Sequence, residues 1–206
     1  MSEGERQRAG RGIPAFLRWE LVSGAMRRGA ILVVVFAALC TGLSSGQDWK
    51  TKLSGDIRRF GHRNWIVVAD SAYPLQTSPG IETIVVDADQ LTVIGQVIDD
   101  LRDAKHVRAV VYTDSELSFV PEQDAKGVGA YRKALAKLLS SQGAHQRLPH
   151  GQILEKLDQA GKSFKVLIIK TPLTIPYTSV FFQLDCGYWS NEAEARLRAA
   201  MGSSAK

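Results

Sequence analysis

Trp65-Ile66-Val67-Val68-Ala69-Asp70-Ser71-Ala72-Tyr73-Pro74 is the stretch from which the fold is read. Five apolar residues in a row, three of them β-branched, stop at a carboxylate, and a proline-bearing loop follows. A run this short, bounded by turn residues, reads as a strand buried on both faces, the kind found where helices cover both sides of a sheet. Upstream, Leu53, Ile57 and Phe60 recur at helical spacing, so residues 49–60 read as a helix that Gly61-His62 brings to an end. Downstream, Pro74, Pro79 and Gly80 mark a loop before a second strand at 81–86. Residues 91–103 form an amphipathic helix with Val93, Val97, Ile98 and Leu101 inward. A third strand at 107–112, helices at 131–139 and 153–157, strands at 164–170 and 179–184, and a charged, alanine-rich helix at 191–201 complete the pattern. Strands alternating with helices predict an α/β fold, a mostly parallel central sheet with helices on both faces. No repeat or low-complexity linker divides it, so residues 47–206 read as a single domain.

The chain has 206 residues, 45% hydrophobic and 23% charged, enough to bury a core without disulfide staples. Its formal net charge of +5 is unevenly placed. Residues 1–46 hold six Arg against three Glu, which leaves 20 basic against 18 acidic residues in the rest. A nearly neutral folded part argues against nucleic acid as the partner, since phosphate binding needs a basic face. Met26-Arg27-Arg28, the apolar run 31–40 and the small polar residues 41–46 have the order of a secretory signal peptide. The run is too short to span a bilayer, which takes about 20 apolar residues. The expectation is a leader over 1–46 with its signal peptide at 26–46, a start at Met1 or Met26, a mature chain from near Gln47, and export without stable membrane insertion. A buried core helix is the competing reading of the run. A lipid anchor on Cys40 is disfavoured by the bulky Leu39 before it. Cys186 is then the one mature thiol, and no Cys/His spacing suits a metal. Nucleotide fingerprints are absent too.

Several residues could carry chemistry. Asp70 ends an apolar strand, and open α/β sheets bind ligands outside the C-terminal ends of their strands. His62 stands in the turn before that strand, His150 in Leu148-Pro149-His150 before a helix, and Tyr177 and Ser179 in Ile175-Pro176-Tyr177-Thr178-Ser179. Singly, each has an ordinary structural reading: a loop cap, a turn histidine, a packed tyrosine. Asp99-Asp100 reads as a solvated helix face, His106 and His145 as surface residues, and Cys186-Gly187-Tyr188-Trp189 as packing.

Taken together, Phe60-Gly61-His62, the strand 65–69, Asp70-Ser71-Ala72-Tyr73-Pro74, His150 before a short helix and Tyr177 two residues before Ser179 resemble the ribose pyranase / fucose mutarotase family. The resemblance runs from about Trp49 to Gly187. It implies a three-layer α/β unit, a homo-oligomeric ring in which neighbours complete each other's sites, and a reducing monosaccharide as ligand. By the same resemblance His62 and Asp70 are the catalytic positions, and His150, Tyr177 and Ser179 the substrate-binding ones. The implied activity is isomerisation of anomers or ring forms by general acid–base catalysis, with no metal or cofactor. One departure stands out: the family carries Asn where this chain has Ser179. A non-catalytic sugar-binding module and a structural ring protein are therefore the alternatives.

Overall fold

The computed structural model describes residues 45–203; the leader, its signal peptide and Cys40 lie outside the described residues, apart from the first residues of the opening helix. That helix, α1 (Ser45–Arg59), leads through a turn to β1 (Trp65–Ala69). There follow β2 (Ile81–Val85), α2 (Gln90–Asp103), β3 (Val107–Asp114), a short 3-10 helix (Ser115–Ser118), α3 (Val128–Leu139), β4 (Ala144–Leu148), α4 (His150–Gly161), β5 (Val166–Lys170), β6 (Val180–Cys186) and α5 (Asn191–Ser203). One six-stranded sheet has the order β2-β5-β1-β6-β3-β4. β1, β2 and β5 pair in parallel, as do β3 and β4, whereas β6 runs antiparallel to both β1 and β3. The sheet is thus mixed, with five strands in one direction and β6 reversed between them.

The period-2 alternation of strands sorts their side chains onto two faces. Ile66, Val68, Leu167, Ile169, Val180, Phe182 and Leu184 point to one side, where Trp49, Leu53 and Ile57 of α1, Val93, Ile94 and Val97 of α2, and Val128, Tyr131 and Leu135 of α3 cover them. Trp65, Val67, Ala69, Val166, Ile168 and Phe181 point to the other, against Ile153 and Leu157 of α4. All five residues of β1 are buried, as the uninterrupted apolar run requires. The result is three layers, with three helices on one face and one on the other.

Two expectations change. Sequence patterning did not show β4, because its Ala-His-Gln-Arg-Leu is an edge strand and His145, Gln146 and Arg147 face solvent. Tyr188 and Trp189 do not pack into the core of the chain: they are 80% and 43% exposed beyond the end of β6, and Trp189 Nε1 donates to Glu194 at 2.9 Å. Asp99 lies on an exposed face of α2 as expected, but Asp100 beside it is half-buried and accepts from Ser54 Oγ and Gln96 Nε2, both at 2.7 Å; His106, though exposed, has its Nε2 3.1 Å from the carbonyl oxygens of Ile57 and Phe60 at the end of α1.

Gly80 closes the β1–β2 loop at a spot no other residue fits. A Cβ there would lie 2.1 Å from the carbonyl oxygen of Phe164. Its N–H donates to Gly161 O at 2.8 Å, and its carbonyl accepts from Val166 N at 3.0 Å, so the loop is tied to the end of α4 and the start of β5.

Candidate functional site

Strand direction decides which residues meet. β1, β3 and β4 are parallel, so Asp70 after β1, Asp114 at the end of β3 and His150 just past β4 emerge at one end of the sheet. β6 is reversed, so the residues preceding it, Tyr177 to Ser179, arrive at that same end. Asp70, Tyr73, His150 and Tyr177 line a cavity of about 320 Å³ there, closed by Ser71–Pro74 on one side and Thr174–Pro176 on the other. That volume lies at the small end of ordinary ligand pockets.

Each side chain is held from behind. Asp70 is nearly buried, at 9% exposure. Its Oδ1 accepts from Ala72 N at 2.9 Å, and its Oδ2 accepts a long hydrogen bond from Ser179 Oγ at 3.4 Å. Ser179 is itself 1% exposed and does not line the cavity. It braces Asp70 where a contact with ligand was expected. Tyr73 packs edge-on to His150, with ring centroids 6.2 Å apart, and its hydroxyl donates to Gln76 Oε1 at 3.0 Å. Gln76 donates in turn to Asp158 of α4 at 2.8 Å, which anchors the loop over the cavity. Burial, reinforced by the charges of Asp114, Asp158 and Asp70, pushes the Tyr73 phenol far above its ordinary value. It is a neutral hydroxyl at any working pH.

His150 opens α4. Its N–H donates to both carboxylate oxygens of Glu116, at 3.0 and 3.2 Å. An acidic group on a helix N-terminus both satisfies a free donor and opposes the positive end of the helix. Burial alone would raise the Glu116 carboxyl, but the backbone N–H groups of His150 and Glu116, the Ser115 hydroxyl and the His150 ring together outweigh it, and the pKa is lowered. The ring Nδ1 of His150 lies 3.0 Å from Oδ1 of Asp114, whose side chain is fully buried. The hydrogen bond to Asp114 raises the His150 pKa, against the opposing effect of burial. Burial raises that of Asp114, and the His150 contact works against it.

Tyr177 has φ 59°, a left-handed backbone that costs a bulky residue about 1–3 kcal/mol. Its ring meets His150 edge-on at 5.8 Å. What holds it is the next residue. The carbonyl of Thr178 accepts from Gln90 Nε2 at 2.7 Å and from Tyr131 Oη at 3.1 Å, and Thr178 Oγ1 donates to Ile175 O at 2.8 Å. Gln90 also donates to Tyr131 Oη at 3.0 Å and accepts from Thr171 Oγ1 at 2.8 Å. This buried network ties α2, α3 and both sides of the β5–β6 loop together.

His62 is not brought to this cavity within the chain. It stands in the turn before β1, whereas Asp70 follows β1, and five residues at about 3.3 Å each put roughly 16 Å between the strand's ends. There the adjacent Arg63 N–H donates to Leu184 O at 2.8 Å, so the turn is fixed beside the far end of β6. Within one chain, then, His62 and Asp70, the two expected catalytic positions, lie at opposite ends of β1; a spacing of eight residues across an extended strand separates rather than joins. A larger opening of about 800 Å³ lies at that far end, against Arg63, Trp65 and Gln183, but it gathers long surface side chains such as Glu155 and Lys156 of α4 in place of buried acid–base groups.

Asp114 and Glu116 went unseen in the sequence. The signal was the one that marked Asp70: Val-Val-Tyr-Thr-Asp is again an apolar strand ending in a carboxylate, two residues longer than the strand inferred from hydrophobicity.

No family model and no curated protein matches the chain. Among solved structures, it aligns with Bacillus subtilis RbsD complexed with D-ribose at 19% identity, TM-score 0.45, covering 69% of this chain and 93% of that one. FucU from Bifidobacterium longum aligns at 14% identity and TM-score 0.48, over 66% and 94% of the two chains. The fucose mutarotase of Streptococcus pneumoniae in complex with L-fucose aligns at 18% identity and TM-score 0.42, over 64% and 89%. At such scores function is read from the residues around the cavity.

Proposed function

We propose that this chain is a monosaccharide mutarotase or pyranase-type isomerase, acting on a reducing sugar at the cavity between Asp70 and His150. The observation that carries the reading is the convergence of a nearly buried carboxylate, an imidazole with one ring nitrogen unpartnered among the described residues, and two tyrosines on one small cleft. Opening a hemiacetal needs one group to take the proton of the anomeric hydroxyl and another to protonate the ring oxygen as the carbon–oxygen bond breaks. Closing on the other face, or through another hydroxyl, reverses both transfers and returns both protons. Asp70 and His150 are acid–base groups of the right kind for these transfers. Tyr177 is placed to hydrogen-bond a sugar hydroxyl, while Tyr73 closes the wall. The reaction runs unaided in water, so acid–base acceleration and positioning suffice.

His62 belongs to this site if a second copy delivers it. Its turn is exposed, at the opposite end of β1 from the cavity, so a ring of subunits would present it to a neighbour. Such an assembly is part of the reading. So is export: cleavage near Gln47 would leave Trp49, Leu53 and Ile57, the buried face of α1, on the mature chain, and sequencing the N-terminus of the expressed protein checks it. A sugar-binding module without turnover is the second reading. It is favoured by Ser179, whose hydroxyl is spent on Asp70 and does not line the cavity.

Saturation-transfer NMR with ribose, fucose, galactose and glucose is the test. Faster anomer exchange with one of them, lost in Asp70→Asn, is the expected result. Ligand-induced shifts without added exchange would replace the isomerase by the binding module, and neither effect with any sugar would remove both.

A further inference from the structure

The Asp114–His150 contact has the form of an oriented acid–base pair. A neutral imidazole carries one proton and can place it on either nitrogen; a fixed acceptor on one side decides which. Asp114 Oδ1 sits 3.0 Å from Nδ1, and the Asp114 side chain is fully buried. Its other oxygen, Oδ2, is buried with no hydrogen-bond partner among the described residues. A carboxylate is costly to bury unless something recovers the energy, and here the recovery runs through one contact, to His150. The backbone N–H of the same residue is held by Glu116, so the imidazole is gripped at both its root and its Nδ1. Nε2 is left without a protein partner among the described residues, and the ring lies between Tyr73 and Tyr177 on the cavity wall. Charged groups act on this ring from three elements: Asp114 at the end of β3, Glu116 in the 3-10 helix and Asp70 after β1. All three are acidic.

The geometry points to Asp114 as a positioning residue that keeps the His150 proton on Nδ1 and presents Nε2 to the ligand, so that His150 can take and return a proton in sugar ring opening. The inference rests on the isomerase reading for its reaction, and on the contact alone for the tautomer. In the step itself Asp114 exchanges no proton with the sugar. Nε2 takes the proton of the anomeric hydroxyl, the doubly protonated ring is stabilised by the Asp114 carboxylate, and Nε2 delivers that proton to the ring oxygen as the carbon–oxygen bond breaks, which leaves the imidazole neutral; reclosure runs the same transfers in reverse.

Asp114→Asn keeps the shape and removes the charge. Long-range proton–nitrogen NMR on the full-length chain, without sugar, reads the tautomer and titration of His150. The expected result is the Nδ1–H form in the parent, and in the variant a shift toward Nε2–H with His150 titrating at lower pH. Anomer exchange should fall by a hundredfold or more, with the pH profile displaced in the same direction, and Asp114→Glu should restore part of both. An unchanged tautomer and titration in Asp114→Asn would overturn the inference whatever the activity. A changed tautomer with undiminished exchange would overturn the catalytic role of His150. If the tautomer shifts but the parent accelerates no sugar, the isomerase reading is what fails, while Asp114 keeps its hold on the His150 proton. Should Asp114→Asn not fold, Glu116→Gln tests the same grip from the backbone side: a smaller lowering of the His150 titration supports it, and no change counts against it.

Discussion

Gln90→Leu tests whether the buried network behind Tyr177 serves the site or only the core. Gln90 is 1% exposed and makes three hydrogen bonds, to Tyr131 Oη, Thr178 O and Thr171 Oγ1. Leucine has similar volume and makes none. No partner is orphaned: Thr178 O keeps Tyr131, and Thr171 Oγ1 keeps Ala69 O at 3.1 Å. The loss is then the net value of three bonds at about 1 kcal/mol each, without the larger penalty of a stranded polar group. Two buried methyl groups in place of the amide return about 1.5 kcal/mol, so the variant should lose about 1.5 kcal/mol and melt roughly 3–6 °C lower, by calorimetry or circular dichroism. The effect on the site should be disproportionate. Tyr177 is held in a backbone conformation costing about 1–3 kcal/mol, and the shorter of the two bonds gripping Thr178 O, at 2.7 Å, is the one removed. A Tyr177 displaced by about 1 Å should cut sugar exchange ten- to a hundredfold. A normal exchange rate in a variant destabilised by this amount would refute a positioning role. A loss above about 4 kcal/mol would show that a buried group was stranded after all.

Three further outcomes follow from the same geometry. His62→Ala and Asp70→Asn should each be inactive alone and regain part of the exchange when co-expressed, because a mixed oligomer assembles some sites that carry neither change; no recovery in a verified mixed oligomer would exclude the shared site. Ser179→Asn, which restores the residue the family carries, adds volume at a position 1% exposed and packed against Asp70, so urea denaturation should show a loss of about 1–3 kcal/mol, whereas unchanged stability would show room that the packing denies. His150 has its pKa raised in the fold, so its stabilising contribution is complete below about pH 6.5 and lost as pH rises through the folded value. Thermal midpoints of His150→Gln should lack that decline, and a variant whose stability still falls like the parent's would assign the slope elsewhere.

What could be read from the sequence followed from burial. The strand 65–69 announced itself because all five of its residues are buried, and Asp70 became a candidate by standing at the C-terminal end of that strand, where a loop cap was the competing reading. β4 could not be read, since an edge strand with solvent-facing His145, Gln146 and Arg147 carries no apolar pattern. Nor could the separation of His62 from Asp70. Spacing along a chain says how far apart two residues are only once the segment between them is known to be extended or helical, and eight residues across a strand place them at opposite ends of the sheet.

Asp114 was missed because β3 was read two residues short, and it matters because of what it faces. Of the two carboxylates that end a central strand, Asp70 and Asp114, one faces the cavity and the other faces the histidine that faces the cavity. The reversed β6 between them brings Tyr177 and Ser179 to the gap, Ser179 beneath Asp70 and Tyr177 beside His150. A sheet with all six strands parallel would have sent those two residues to the far end, beside His62. The reversal of one strand is therefore what brings these residues together, and it leaves His62 at the opposite end of the sheet from them.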